Sequence, residues 1–128
     1  MGSRDSVRMF AFEDLLVWQK AIDFAEGVIK TIDEFEAPRK HFRIIEQLEA
    51  STISVSSNIA EGKGRFSKKE FVHYLYIARG SLFETVSLLV LIRRLAWISE
   101  HKLLELKSLG EEIAKMLNSL IKSLKSGK

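Results

Sequence analysis

The sequence predicts an all-α protein, an up-down-up-down antiparallel four-helix bundle. Three observations carry this. Four stretches repeat apolar residues at alternating steps of three and four, the stripe of a packed helix. The breaks between them are short, and short connections favour antiparallel neighbours. No strand pattern competes, and one proline and seven glycines leave long runs uninterrupted.

The first helix is expected over 13–35. Leu15, Trp18, Ile22, Ala25, Ile29 and Ile32 form its stripe, and Glu13 and Asp14 in its first turn suit the helix dipole. Glu36-Ala37-Pro38-Arg39-Lys40 ends it, because proline disfavours helical backbone in the residue before it. The second helix is expected over 41–62, with Ile45, Leu48, Thr52, Val55 and Ile59 inward. Gly62 and Gly64 supply permissive backbone for its end. Ser67-Lys68-Lys69-Glu70 reads as a capping box, in which a hydroxyl and a carboxylate satisfy the free amides of a new helix.

The third helix is expected over 68–97. Its stripe is Phe71, Leu75, Ala78, Leu82, Thr85, Leu89, Ile92 and Ala96. A second stripe, Phe83, Val86, Val90 and Trp97, follows a neighbouring face. A surface helix of a monomer buries one stripe only. The second therefore predicts an interface between subunits, or a very central place in the core. Ser99 caps the fourth helix, with Glu100 in its first turn. Leu103, Leu106, Ile113, Leu117, Leu120 and Leu124 carry its stripe. Gly110 falls in the gap and costs about 1 kcal/mol against alanine, which a close helix crossing would justify. Residues 1–11 read as a polar arm and 12–125 as the bundle. The tail Ser126-Gly127-Lys128 is expected to fray.

Composition bounds the function. The chain has 128 residues, 29% charged and 46% hydrophobic, as expected of one globular domain. It has no cysteine, which removes disulfides, thiolate metal sites and thiol nucleophiles and fits a reducing cytoplasm. The longest apolar run, near 86–92, falls short of the roughly 20 residues of a membrane span. The net charge is +3. Residues 1–36 hold four basic and eight acidic side chains, and 37–128 hold sixteen and nine.

Two constellations stand out. Ser54, Asn58 and Glu61 share one helix face, and Ala78, Gly80 and Ser81 on the third helix are small enough for close approach. Glu61 and Glu84 in apolar surroundings need partners, because an unpaired buried charge costs several kcal/mol. Arg65 and Arg79 are the nearest in sequence. The six residues Ser54, Asn58, Glu61, Arg65, Arg79 and Glu84 are read as a polar network that fixes helix docking, against the alternative of plain exposure. Lys63, Arg65, Lys68 and Lys69 place four cations within seven residues, with Phe66 among them. This corner is a candidate surface for RNA or DNA, with Phe66 either stacking on a base or anchoring the loop. Glu70-x-x-His73 is half of a di-iron motif and lacks the remaining ligands, so neither a metal nor another cofactor is expected. No serine–histidine–aspartate pattern or phosphate loop appears, so no catalytic residue is assigned.

The chain resembles the four-helix-bundle family of proteins encoded in intervening sequences of bacterial 23S ribosomal RNA genes. The carriers are Phe12-x-x-Leu15-x-Val17-Trp18-Gln19-Lys20-Ala21, then Phe42 and Gln47, then Ser57-Asn58-Ile59-Ala60-Glu61-Gly62-x-Gly64-Arg65-x-Ser67, and Ile77-Ala78-x-Gly80-Ser81-x-x-Glu84. The resemblance implies a bundle that forms ring-shaped homo-oligomers, commonly pentamers. It is similar in architecture to nucleic-acid-binding accessory proteins of diversity-generating retroelements. Family members often carry two arginines shortly after the position of Gln47, where this chain has Glu49-Ala50. The leading expectation is a non-enzymatic, self-assembling adaptor with a basic rim repeated around a ring. Two rivals stay open: a bundle-interior metal protein or enzyme, and a module that receives a partner protein's helix.

Overall fold

The computed structural model describes residues 10–35 and 41–126. A 3-10 turn, Ala11–Asp14, leads into four helices: α1 Leu16–Ile32, α2 Phe42–Lys63, α3 Lys68–Arg94 and α4 Glu100–Ser126. Each helix packs on the next in the chain, and α1 also packs on α4. Short reversals return each helix alongside its predecessor, which gives the expected antiparallel bundle. One end carries the α2–α3 corner and the close of α4, and the other carries the α3–α4 turn. The predicted arm lies outside the described residues except for Phe10 and Ala11, and the Glu36–Lys40 breaker lies wholly outside them. Of the expected fraying tail, Ser126 still belongs to α4, and Gly127 and Lys128 lie outside.

The first helix differs from its sequence reading. Leu15 is extended (φ −77, ψ 120) and separates the 3-10 turn from α1. Glu13 and Asp14 therefore belong to that turn and not to the first turn of the α-helix. The Gln19 amide bridges the break by donating to the Glu13 carbonyl at 2.7 Å. The buried stripe is Val17, Ala21, Phe24, Ala25, Val28 and Thr31, and Ile22 and Ile29 are exposed. Both stripes have helical spacing, so periodicity alone does not choose between them. The stripe with Ala21 and Ala25 permits closer packing, and Phe24 fills the centre.

The other stripes face inward largely as expected. Leu48, Thr52, Val55 and Ile59 of α2 meet Phe71, Leu75, Ala78, Leu82, Thr85, Leu89 and Ile92 of α3 in the core. In α4 the predicted Leu120 and Leu124 are partly buried, and Ile121 takes the inward position. Gly110 is buried, and a Cβ there would stand 3.3 Å from Val86 Cγ2 and 3.6 Å from Leu82 Cδ1. The α3–α4 crossing thus uses its missing side chain.

The α3–α4 turn holds the one non-glycine residue with positive φ among the described residues. Helix α3 ends at Arg94, not Trp97. Ala96 adopts φ 66, its amide donates to Arg93 O at 2.9 Å, and the Trp97 amide donates to Ile92 O at 3.1 Å. This is a Schellman closure, with alanine where glycine is usual. Trp97 folds back into the core against Phe35 and His41, with ring centroids 6.0 and 5.3 Å away. Ser99 then caps α4 by accepting from the Lys102 amide at 3.1 Å.

Candidate functional site: a hydroxyl seam and a basic corner

The α2–α3 pair is joined by small hydroxyl residues. The Ser54 and Ser81 hydroxyls are 2.8 Å apart, and Asn58 Nδ2 donates to Ser54 Oγ at 2.9 Å and to Ser54 O at 2.8 Å. Further along, Thr85 Oγ1 donates to Ser81 O at 2.8 Å and lies 2.8 Å from the Ser51 hydroxyl. Ser51, Thr52, Ser56 and Thr85 are buried. A seam of short hydrogen-bonded side chains lets two helices approach and specifies one register, because sliding either helix would leave buried hydroxyls unpaired.

Three of the predicted network residues, Ser54, Asn58 and, at the edge, Glu84, do belong to this helix pair. The network as a whole separates into three parts. Glu84 is exposed and accepts from Gln47 Nε2 at 2.7 Å. Glu61 is exposed and pairs with Arg65, one turn on. Arg79 turns away from both carboxylates towards α4, where it donates to Asn118 Oδ1 at 2.8 Å. The reason is angular: Arg79 sits on the α4 flank of α3, and Glu84 sits on the α2 side. Neither glutamate is buried, so neither needs a buried partner. Thr85 was legible as a stripe member but not as a polar one, and the sequence reading did not single out Ser51.

The corner is built by Gly62 and Ser67. A Cβ on Gly62 would stand 2.7 Å from Tyr74 Cβ and 2.9 Å from Phe71 Cδ1. Gly62 is therefore a point of close approach. No glycine among the described residues has positive φ, so the expected backbone role is not the one it plays. Ser67 Oγ accepts from the Glu70 amide at 3.1 Å, as the capping box predicts. Arg65 donates to the Tyr74 hydroxyl at 2.7 Å and lies 4.8 Å from its ring centroid. Lys63 stands 5.9 Å from the Phe71 ring centroid. Arg65 is thus held by Glu61 and Tyr74, while Lys63, Lys68 and Lys69 are exposed. Phe66 is fully exposed, so it does not anchor the loop.

The predicted interface stripe also divides. Phe83 is 55% exposed, whereas Val86 packs into the Gly110 crossing and Val90 is partly buried. Trp97 is buried at the helix end and leaves the stripe, because α3 stops before it. The exposed apolar residues on α3 are instead Tyr76, Ile77, Phe83 and Leu91. Gly80 lies among them with nothing within 4 Å of where a Cβ would sit. By length and composition α3 is apolar enough to cross a bilayer, yet only 33% of that apolar window is buried. The core helix of a soluble protein passes the same test of length and composition. No group of three His, Asp or Glu side chains suited to a metal occurs among the described residues.

Fold, seam and corner define a class: antiparallel four-helix bundles whose central hairpin is closed by a small-residue polar motif. The chain belongs to the family of 23S rRNA-intervening sequence proteins, whose family model matches residues 13–119. Among solved structures, it is similar to a protein of unknown function from the S23 ribosomal protein family of Bacteroides thetaiotaomicron. The two share 28% identity and a TM-score of 0.77, over 84% of this chain and 99% of that one. A search of curated proteins gives no match.

Proposed function

We propose that this protein is a non-enzymatic bundle that assembles with copies of itself and serves as an adaptor for RNA or single-stranded DNA. The observation that carries the assembly is the outer face of α3. Ile77, Phe83 and Leu91 are exposed there, on a helix whose apolar window is only one-third buried. Contiguous apolar surface of this kind marks an interaction site. Gly80 adds to it. A glycine in a mid-helix exposed position costs about 1 kcal/mol and has no use within the chain, but it lets a second helix come close. The family resemblance favours a closed ring, commonly a pentamer.

The nucleic-acid reading rests on Phe66. A wholly exposed aromatic between cations is a stacking platform within an electrostatic footprint. A ring would repeat Lys63, Lys68 and Lys69 around one rim and multiply that footprint. Sedimentation velocity tests the assembly: a discrete oligomer is expected, and Ile77→Glu with Leu91→Glu should dissociate it without loss of helicity. A monomer at every concentration would refute it. Filter binding tests the rim. Affinity for RNA should fall steeply with salt and with Lys68→Glu plus Lys69→Glu, and indifference to both would remove the corner from the mechanism.

A further inference from the structure

The α3–α4 groove holds cations that the corner does not include. Arg79 lies 4.9 Å from the Tyr76 ring centroid and is fixed by the Asn118 amide oxygen. Lys125 Nζ donates to the Tyr76 hydroxyl at 3.2 Å and stands 5.7 Å from the same ring centroid. Both are held by neutral partners, so their charge is placed but not cancelled. Among the described residues, no carboxylate lies within 4.0 Å of Arg79, Lys122 or Lys125. The sequence of α4 explains this: after Glu112 it carries no acidic residue, whereas it carries Lys115, Lys122 and Lys125.

These cations form a track. One part of the groove is lined by Tyr76, Arg79, Lys122 and Lys125, and the adjoining part by Lys68, Lys69 and Lys125. Lys125 belongs to both, so the positive surface runs unbroken from Arg79 to the turn that carries Phe66. Arg79 and Lys69 are ten residues apart on one helix, about 15 Å along its axis. An array already held in place loses less side-chain freedom on binding than scattered lysines do.

We propose that this groove is the track for the phosphodiester backbone of a single strand whose base stacks on Phe66. The inference rests on the nucleic-acid reading above and assigns it a path. A concave line of cations beside a free aromatic is the combination used for single strands. An acidic protein has no need of the aromatic.

The test is fluorescence anisotropy of a labelled oligouridylate with the full chain across a salt series. Lys122→Gln with Lys125→Gln should weaken binding by about tenfold or more, and should make the slope of log K against log salt shallower by about 1.4, two contacts at about 0.7 each. Both positions are exposed near the end of α4, and an unchanged far-UV circular dichroism spectrum checks the fold. Unchanged affinity and slope in this variant, with binding abolished by Lys68→Glu plus Lys69→Glu, would overturn the groove and leave the corner standing. No binding by the wild type, or indifference to both pairs, would remove both readings. Capture by phosphatidylglycerol vesicles without oligouridylate binding would assign the cations to a membrane surface and overturn the proposal.

Discussion

Replacing Gly62 by alanine adds one methyl group at the tightest point between α2 and α3. The new Cβ would stand 2.7 Å from Tyr74 Cβ, 0.7 Å short of the 3.4 Å at which ordinary contact begins. It would also meet Phe71 Cδ1 at 2.9 Å and Phe71 O at 3.2 Å. Tyr74 Cβ is bonded to the α3 backbone and Phe71 O is part of it, so the helices must separate. A gap of that size forfeits about a quarter to a half of each contact it opens, and overpacking costs about 1–3 kcal/mol. The better helix propensity of alanine returns at most about 1 kcal/mol, and less in a last turn. The net expectation is a loss of about 2 kcal/mol. For a chain of this size that lowers Tm by roughly 6–10 °C. Gly64→Ala is the control, since a Cβ there meets only Glu61 O at 3.6 Å and Ala60 O at 3.9 Å. Its stability should stay within about 0.5 kcal/mol of wild type. Thermal and urea melts followed by circular dichroism measure both. A Gly62→Ala variant as stable as Gly64→Ala would refute the steric account of the corner.

Two further substitutions test single features. Thr52 Oγ1 is buried without a hydrogen-bond partner, so Thr52→Val should raise stability by about 1 kcal/mol in a urea melt. A loss would mean that the hydroxyl has a partner. Ala96 pays the left-handed penalty of about 1–2 kcal/mol, so Ala96→Gly should gain roughly 0.5–1 kcal/mol after the added chain entropy is subtracted. A lower Tm in that variant would contradict the turn described above.

The fold was legible because long helices advertise their period and their stops. Ser67 and Ser99 as caps, and Gly110 as a crossing, were readable one residue at a time, since each feature is local. The inward face of α1 was not, because Ile22 and Ile29 have the same spacing as Val17, Phe24 and Val28. Packing against neighbours decides such ties. The site was half legible. Ser54 and Asn58 were found from their shared face, but Arg79 was assigned to a partner near in sequence when its partner, Asn118, is on another helix. Lys122 and Lys125 were missed for the same reason. Their signal was the acid-free close of α4, and it gains meaning only once α4 lies beside Lys68 and Lys69.

The two tryptophans occupy opposite poles of the bundle. Trp18 packs edge-on against Phe12 at 5.0 Å, near the start of α1, whereas Trp97 packs against Phe35 beyond its close. About 17 residues of chain separate Trp18 from Phe35, roughly 25 Å if helical throughout. Each indole therefore samples a different pole, and the chain carries a built-in pair of optical reporters. Single Trp→Phe variants would let emission spectra tell which pole loosens first on warming, and whether an added oligonucleotide quiets the pole at which Phe66 stands.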